Sequence, residues 1–240
     1  PSTVSHSSGN TDLPNTQLPN TDEARHISQN FFLSLSLCWP EDSLLNTSTN
    51  EKNMKITQAT PNHATDIAQL VMMAMTDECC LNLAGKGNTL SDFARVMNRL
   101  TAADHSQYSY RNTLVAIDDD GQVAGAIVSY DGGQLHALRQ AFIDEMKREV
   151  GVDHSGIADE TGPGEWYLDS LAVYPQYRGQ GIARQLLQAT VERAQEAGLP
   201  AGLLVDKGNP KAERLYRSIG FEYVNDAMWG GHEMRHLQHA

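Results

Sequence analysis

One short segment of this sequence combines residue types that could bind a phosphate group. An apolar strand pattern ends at Leu171, Ala172 and Val173, and a helix pattern follows Gly179 and Gly181. Glycine has no Cβ, so its backbone can approach a ligand closely, and the first N–H groups of a helix lack helical partners. These groups also carry the positive end of the helix dipole, so the segment predicts a site for a phosphate or diphosphate.

Two arginines, Arg178 and Arg184, add positive charge beside this glycine turn in an otherwise acidic chain. The turn differs from the dinucleotide-binding fingerprint because Arg184 occupies the position of its third glycine. It also differs from a P-loop, because no Gly-Lys-Ser/Thr follows. From spacing alone, an ordinary tight turn between a strand and a helix remains open beside a phosphate site.

The pattern Gln176-x-x-Gly179-x-Gly181, with Leu171-Ala172-Val173 before it and Ile182-Ala183 after it, resembles the acetyl-CoA motif of the GNAT superfamily of N-acetyltransferases. The resemblance follows the element order over residues 55–237 and is closest over residues 165–222. It implies that main-chain groups of Leu171 and Val173 contact the pantetheine arm of acetyl-CoA. It further implies a cofactor site built from Leu171, Ala172, Val173, Arg178, Gly179, Gln180, Gly181, Ile182, Ala183 and Arg184.

A second stretch strengthens this resemblance. Asn209, Ala212, Tyr216, Gly220 and Phe221 match the family pattern N-x-x-A-x-x-x-Y-x-x-x-G-F. The match implies that Asn209 lies near the pantetheine or acetyl group and that Tyr216 protonates the departing thiolate. From the residues alone, Asn209 is equally compatible with a helix N-cap and Tyr216 with a core aromatic.

Two carboxylates are candidates for the general base that acetyl transfer to an amine requires. Glu165 and Asp169 lie at the start and in the middle of the strand before the glycine turn, and residues four apart share a face of a regular strand. They could instead bind the substrate ammonium or pair with an arginine. Because Cys79 and Cys80 lie outside the motif, we expect direct attack in a ternary complex rather than an acetyl-cysteine.

The elements that must position these residues alternate between strands and helices. The pattern predicts an α/β fold that the resemblance specifies as a GNAT fold, a mixed and mostly antiparallel sheet with helices on both faces. The predicted strands cover residues 55–59, 113–117, 122–130, 165–173, 201–205, 221–225 and 232–237, and the predicted helices start near residues 61, 91, 182 and 210.

Residues 131–164 are predicted to be a helical insertion, since Leu135, Leu138, Phe142 and Met146 keep helical spacing. Its position favours a role in acceptor specificity, with His136, Arg139 and His154 as contacts. The alternative is that its apolar face covers the sheet edge or makes a homodimer contact.

Residues 1–53 differ in composition from the remainder of the chain. They are rich in Ser, Thr, Asn and Pro, and residues 10–14 recur with one change as residues 15–19. Such a segment buries too little apolar surface to offset its ordering entropy. We expect residues 1–53 to be a disordered or non-native extension and residues 54–240 to form one acetyltransferase domain.

Bulk composition restricts the partners. The formal net charge of −12 argues against nucleic acid and favours a cationic acceptor, either a small-molecule amine or a peptide or protein amine. No apolar run approaches the ~20 residues that a membrane span requires. Three cysteines, two of them adjacent, do not form a disulfide framework, so we expect a cytoplasmic protein.

Two rival functions stay open at this stage. A non-catalytic acetyl-CoA sensor would keep the glycine turn without needing an acid or a base. His232-Glu233-x-x-His236 matches a zinc metalloprotease motif, although that chemistry needs both histidines on one helical face. A strand is expected here, and it would separate the histidines by ~13 Å, so no metal site is predicted.

Overall fold

The computed structural model describes residues 54–240. The disorder expected for residues 1–53 therefore lies outside the described residues. Strand β1 starts at Lys55, one residue after Met54, where the sequence predicted the first element of the domain.

The described residues form seven strands and six α-helices, which alternate much as the sequence predicted. In chain order they are β1 (Lys55–Gln58), α1 (Ala64–Met75), α2 (Asp77–Ala84), α3 (Leu90–Ala102), β2 (Thr113–Ile117), β3 (Val123–Asp131), α4 (Leu135–Glu149), β4 (Trp166–Val173), α5 (Ile182–Glu196), β5 (Ala201–Asp206), α6 (Pro210–Arg217), β6 (Glu222–Trp229) and β7 (His232–His239). None of the helices between residues 54 and 240 is both long enough and apolar enough to cross a bilayer.

All strands belong to one sheet, in the order β1-β2-β3-β4-β5-β7-β6. Every neighbouring pair is antiparallel except β4 and β5, which run parallel. The prediction of a mixed, mostly antiparallel sheet is confirmed. The parallel pair lies near the middle of the sheet, where ligands of α/β proteins commonly bind next to strand ends.

Helices cover both faces of the sheet, as expected. One apolar cluster joins the inner faces of α1, α2, α3 and α4 to one side of the sheet, and Ile67, Phe93 and Phe142 are among its buried members. A second cluster joins α5 and α6 to the opposite side, with Leu186 and Tyr216 among its members. Alternate residues of each strand feed the two clusters, so the sheet separates two distinct apolar layers.

The sequence reading missed one helix. Helix α2 follows α1 after a single residue, Thr76, whose φ of 76° breaks the first helix. The Thr76 hydroxyl then accepts a hydrogen bond of 3.4 Å from the Cys79 N–H and starts the second helix. An eight-residue helix that starts directly after another leaves almost no loop, so sequence periodicity alone could not separate the two.

The hairpin between β2 and β3 forms where the acidic turn predicted it. The N–H of Asp118 donates to the Gln122 carbonyl at 3.0 Å, and Gly121 adopts a φ of 79° that favours glycine. The Tyr177 hydroxyl, just before the glycine turn that follows β4, donates to Asp118 Oδ2 at 2.8 Å, so this hairpin lies beside that turn and supplies a comparison turn with similar backbone geometry.

Candidate active site

Strands β4 and β5 pair only where they begin. Trp166 lies opposite Ala201 and Tyr167 lies opposite Gly202, and no further pair joins the two strands. Beyond this point β4 keeps its other neighbour, β3, up to Val173. The two parallel strands therefore part and leave one edge of β4 open inside the sheet.

Main-chain groups of β4 face this opening. The carbonyl of Ala172 points towards β3, since a Cβ on Gly125 would meet it at 2.8 Å. Successive carbonyls of a strand point to opposite edges, so those of Leu171 and Val173 face the open edge. The Val173 carbonyl accepts a hydrogen bond of 3.1 Å from Arg178 Nε, which agrees with this orientation. The two residues expected to contact a ligand through the main chain are thus placed to do so.

A β-bulge interrupts β4 at Asp169. Leu168 pairs with Ser129 and Ser170 pairs with Val128, so Asp169 is an extra residue in the strand. The Asp169 side chain is 4% exposed, and Oδ2 lies 3.1 Å from the hydroxyl of Tyr130. Burial raises the pKa of Asp169, and hydrogen bonds from Ser170, Tyr130 and Gln107 offset that rise only in part.

Glu165 lies in a different environment, immediately before β4. Its carboxylate accepts hydrogen bonds from Thr161 at 2.6 Å, from His236 at 2.7 Å and from Gln238 at 2.9 Å. Burial raises the pKa of Glu165, but the three hydrogen bonds together outweigh burial and hold the pKa below its usual value. This carboxylate lies beside the closed part of the sheet, over Gly202, where an added Cβ would collide with it.

Glu165 and Asp169 lie on the same face of the sheet as Tyr167, as their spacing predicted. They nevertheless have no partner in common: Glu165 bonds to β7, whereas Asp169 bonds to Tyr130 on β3 and to Gln107. The structure therefore does not bring the two candidate bases together.

The glycine turn has the geometry of an anion site. Gly179 and Gly181 have φ angles of 77° and 76°, which side chains other than glycine adopt only with strain. Gly181 is the N-cap residue of α5 and supplies no side-chain cap, and the first helical bond is donated by Gln185 to the Gly181 carbonyl. The amides ahead of Gln185, including those of Ile182 and Ala183, therefore have no helical acceptor and point away from the helix.

The polar side chains around this turn are engaged within the chain. Arg178 bonds to the Val173 carbonyl and to Met73 Sδ at 3.4 Å, and Arg184 donates to the Ser218 hydroxyl at 2.7 Å. Gln180 donates to the Gln176 carbonyl at 3.4 Å. Both arginines border the turn, so its surroundings are positive.

Tyr216 and Asn209 come from α6, on the other side of the opening. The Tyr216 side chain is fully buried in the apolar cluster that contains Leu171 of β4 and Val205 of β5, and it packs edge-on against Phe221. Its hydroxyl has no hydrogen-bond partner in the described part of the chain. Burial raises the pKa of Tyr216 far above its usual value. Asn209 caps α6, accepting a hydrogen bond of 3.1 Å from the Ala212 N–H.

The predicted insertion contains α4 and a long connection to β4. Arg139 is buried and forms ion pairs with Asp159 at 2.8 Å and with Glu160, so it is not free to meet an acceptor. His154 is also buried, stacking on Phe142 with Nε2 2.9 Å from the Leu83 carbonyl. Of the three residues proposed as acceptor contacts, two are thus internal.

The third of these residues, His136, is exposed and lies 2.9 Å from Asp159. Through Asp159, which also pairs with Arg139, it lies at the exposed end of the ion-pair chain that reaches Glu160. The helix itself packs against α3, where Arg99 pairs with Glu145 at 3.0 Å. These contacts show that α4 is an integral part of the helical layer rather than an appendage.

The metalloprotease pattern falls on β7, as the strand prediction required. His232 lies 3.3 Å from Asp206, whereas His236 bonds to Glu165 and to Asn225. Among the residues that the structure describes, no three His, Cys, Asp or Glu side chains converge in a way that would hold a metal ion. The helical face that this motif needs is absent, because residues 232–239 are extended.

The residues around the opening fit acetyl-CoA. Uncapped amides at the start of α5 match a diphosphate, and the open edge of β4 offers main-chain groups to an extended arm. The orphaned Tyr216 hydroxyl supplies a buried donor that needs an acceptor.

Comparison with known proteins identifies the family. The model of the acetyltransferase (GNAT) family matches residues 88–221, more than half of the chain, and this range includes the opening, the glycine turn and Tyr216. The chain belongs to the GNAT acetyltransferase family. The resemblance noted in the glycine turn and in the Asn209–Tyr216 stretch is thereby confirmed as a family relationship.

GNAT relatives support this assignment at two levels. A solved acetyltransferase shares 31% identity at a TM-score of 0.66, covering 77% of this chain and 98% of that one. An N-acetyltransferase from Staphylococcus aureus Mu50 gives 26% identity and the same TM-score, covering 77% and 99%. The mycothiol acetyltransferase of Thermobifida fusca is 39% identical over 84 residues, which are 34% of this chain and 25% of that protein. This chain thus spans about a quarter of the length of that relative.

Three residues near Asp169 were not predicted from the sequence. Gln107 and Tyr130 bond to Asp169, 62 and 39 positions away in sequence, and Glu160 bonds to Tyr130. Tyr130 is a buried strand residue and Glu160 sits in a connection, so neither had a local signal. The pairing of β3 with β4 places Tyr130 beside Asp169, and Tyr130 in turn contacts Glu160.

Proposed function

We propose that this chain is an acetyl-CoA-dependent N-acetyltransferase, which transfers acetyl to a primary amine by direct attack in a ternary complex. The observation that carries the proposal is the parting of β4 from β5 beside an uncapped glycine turn. An opening through the sheet suits a long thioester whose diphosphate remains at one mouth. A buried acid and a buried hydroxyl on opposite faces of the sheet then flank the opening.

Residues at the mouth would hold the co-substrate, which supplies the acetyl thioester when bound. The turn amides of Gly179, Gln180 and Gly181, followed by those of Ile182, Ala183 and Arg184, would bind the diphosphate. The main chain at Leu171, Ala172 and Val173 would guide the arm. Arg178 and Arg184 would add charge, and Asn209 would lie near the pantetheine while also capping α6.

Asp169 is the base that the geometry favours. An alkyl amine with a pKa of ~10.4 is neutral only to about one part in a few thousand at pH 7, a cost of roughly 4–5 kcal/mol. Asp169 lies just beyond the point where β4 and β5 part, and burial raises its pKa towards the working range of a general base. Glu165 lies at the closed part, and three donors stabilise its ionised form, so we assign it a structural role.

Tyr216 is proposed as the proton donor to the leaving thiolate. Its raised pKa keeps the phenol protonated and able to donate a hydrogen bond to the leaving sulfur. A thiol has a usual pKa of about 8.5, so the thiolate is a weaker base than the phenolate and full proton transfer from Tyr216 is uphill. A main-chain N–H that the bulge in β4 leaves unpaired would polarise the thioester carbonyl.

The acceptor is proposed to be a small-molecule amine. The net charge of −12 attracts cations, and the acid lies on the face covered by α1 to α4, so an amine would enter from that side. Among the relatives, proteins named mycothiol acetyltransferase stand beside one named N-alpha-acetyltransferase, so a peptide amine is the second class to test.

The test is an acetyl-CoA consumption screen over small amines and peptide N-termini, using the full chain. Tyr216→Phe should lower kcat by about 10- to 100-fold on the accepted amine, as expected for loss of a general acid. Tyr223→Phe is the matched control, because Tyr223 is exposed on the edge strand β6, which β7 separates from β5. Acetyl-CoA binding without turnover of any amine would instead favour a non-catalytic sensor.

A further inference from the structure

A single tyrosine hydroxyl connects two buried carboxyl groups beneath the opening. The Tyr130 hydroxyl lies 3.1 Å from Asp169 Oδ2 and 3.1 Å from Glu160 Oε1. Asp169 and Glu160 are 4% and 6% exposed, and Tyr130 is 2% exposed. Glu160 comes from the connection after α4, so the predicted insertion delivers a second acid to the environment of the proposed base.

Asp169, Tyr130 and Glu160 can form both hydrogen bonds only if one of the two carboxyl groups carries a proton. A tyrosine hydroxyl has one hydrogen, so it can donate to only one of two carboxylates. The second contact becomes a hydrogen bond only when the other carboxyl carries a proton and donates to the Tyr130 oxygen. The spacing therefore satisfies every member of the trio when Asp169 and Glu160 together hold one proton.

Charge balance leads to the same conclusion. The buried cluster contains two carboxyls and one cation, Arg139, which pairs with Glu160 and with the half-exposed Asp159. With both buried acids ionised the cluster has one uncompensated negative charge, which is costly away from water. One added proton removes this charge. Glu160 agrees with this reasoning, because burial raises its pKa to about 7 despite the opposing effect of Arg139.

We propose, building on the proposed function, that Glu160 is the second carboxyl of the catalytic base and receives through Tyr130 the proton that Asp169 removes from the acceptor ammonium. The step starts from the ionised pair, whose extra negative charge the bound ammonium balances, and it produces the state with one shared proton. The ammonium N–H bond breaks, its electron pair stays on nitrogen, and an O–H bond forms at Asp169 Oδ2. That proton passes to the Tyr130 oxygen while the Tyr130 proton passes to Glu160 Oε1. The proton held by the pair goes to bulk water after the amide leaves.

Glu160 also sets the proton affinity of the pair in this scheme. Two carboxylates that share a site raise the affinity for the first proton, and they titrate as one coupled unit. The other ionisable groups that face the pair from the surrounding elements are Cys79 of α2, Tyr108 between α3 and β2, Arg139 of α4, Asp159 before Glu160 and Tyr167 of β4. Burial raises the pKa of Tyr108 and Tyr167 well above the usual value, so neither tyrosine titrates near neutral pH.

The decisive experiment is the pH profile of kcat/KM for Glu160→Gln in the full chain, with the amine that the screen identifies. Loss of the Glu160 charge should move the acid limb at least about one pH unit lower and reduce the plateau about 10-fold. Tyr130→Phe should also lower the plateau. Glu145→Gln is the matched control on α4, because Glu145 pairs with Arg99 and Arg148 away from the cluster.

A second measurement does not depend on turnover. Infrared difference spectra of the full chain between pH 5 and pH 9 should show the C=O band of a protonated carboxyl, which Glu160→Gln and Asp169→Asn both alter and Glu145→Gln leaves intact. The relay would be overturned, even if amines are acetylated, if Glu160→Gln left both the acid limb of the kcat/KM profile and the infrared carboxyl band unchanged. If both Glu160→Gln and Asp169→Asn altered the carboxyl band but the protein acetylated no amine, the coupled pair would stand and only the acetyltransferase proposal would be refuted.

Discussion

Strand β4 is held very differently at its two ends. Where it begins, it pairs with β3 and β5, and the carboxylate beside it, Glu165, is saturated by three hydrogen-bond donors. Further along, it pairs with β3 alone, and Asp169 lies there as the extra residue of a bulge. Two carboxylates four residues apart thus have opposite surroundings. The closed end fixes the sheet, and the open end holds the groups to which we assign the chemistry.

The sharpest test of this contrast replaces each carboxylate by its amide. Asp169→Asn should lower kcat/KM by about 10²- to 10⁴-fold, because it removes the proposed general base. Glu165→Gln should change kcat/KM less than about 5-fold, since the chemistry does not use that group. Both variants are compared by acetyl-CoA consumption at saturating co-substrate. Equal decreases of kcat/KM in the two variants would show that the two ends of β4 do not differ in function.

The same two substitutions should differ in their effect on the free energy of unfolding, where Glu165→Gln should have the larger effect. Glu165→Gln should lower the free energy of unfolding at pH 7 by about 1–3 kcal/mol, because a charged acceptor with three donors is lost. The folded pKa of Glu165 lies below its usual 4.5, so this stabilisation is complete above pH 4.5 and is lost as the pH falls through the folded pKa. Denaturation at pH 7 and pH 3 measures it.

The sign reverses for Asp169, whose folded pKa lies above its usual 3.8. Ionisation then costs the folded state more than the unfolded chain, so this group lowers stability as the pH rises through 3.8. Asp169→Asn should remove that slope. A stability–pH curve with the same slope in both variants would contradict the assigned environments.

A third test concerns the turn at the open end. Gly181→Ala forces a side chain into a left-handed backbone and should cost about 1–2 kcal/mol of stability, while weakening coenzyme A binding about 10-fold because the turn amides shift. Gly121→Ala is matched, since Gly121 has a φ of 79° and an added Cβ at either glycine meets nothing within 4 Å. Calorimetric titration should show weaker binding only for Gly181→Ala.

The smallest expected effect on stability comes from replacing Tyr216. Because its buried hydroxyl has no partner among the described residues, Tyr216→Phe should raise the free energy of unfolding of the ligand-free protein by up to about 1 kcal/mol. Tyr130→Phe, which removes a hydroxyl with two partners, should lower it. Destabilisation by Tyr216→Phe would show that this hydroxyl already has an acceptor, which would weaken its assignment to the opening.

Much of the frame could be predicted from sequence because it depends on local patterns. Period-two and period-3.6 hydrophobic spacing located β4, α5 and β5 to within a residue or two, and the acidic turn ending at Gly121 located a hairpin. Helix α2 was missed, since Thr76 both ends one helix and starts the next. The glycine turn was readable because its function depends on backbone, which glycine spacing reports.

The environment of each carboxylate was not readable in this way. Glu165 and Asp169 look alike in sequence, and their difference comes from residues that lie up to 73 positions away, such as Gln238. The Tyr130 and Glu160 contacts likewise depend on how β3 meets β4 and on where the segment after α4 returns. Long-range pairing of this kind leaves no periodic trace, so the sequence alone kept both acids as candidates and named Arg139 as an acceptor contact.

The bulge also determines which face of the sheet each later residue of β4 points to. Before it, Tyr167 and Leu168 alternate between the two apolar layers, and after it Leu171 and Val173 fall into the layer of Leu168, although simple alternation would send them to the other. If β4 kept all its residues but lost the bulge, regular alternation would turn the rest of the strand over, carrying aliphatic side chains under α1 and swinging alternate carbonyls to the wrong edge. Chimaeras that join this half-strand to a relative must therefore keep the extra residue and the bulge together or drop both, or the proposed cradle for the thioester is lost together with the core.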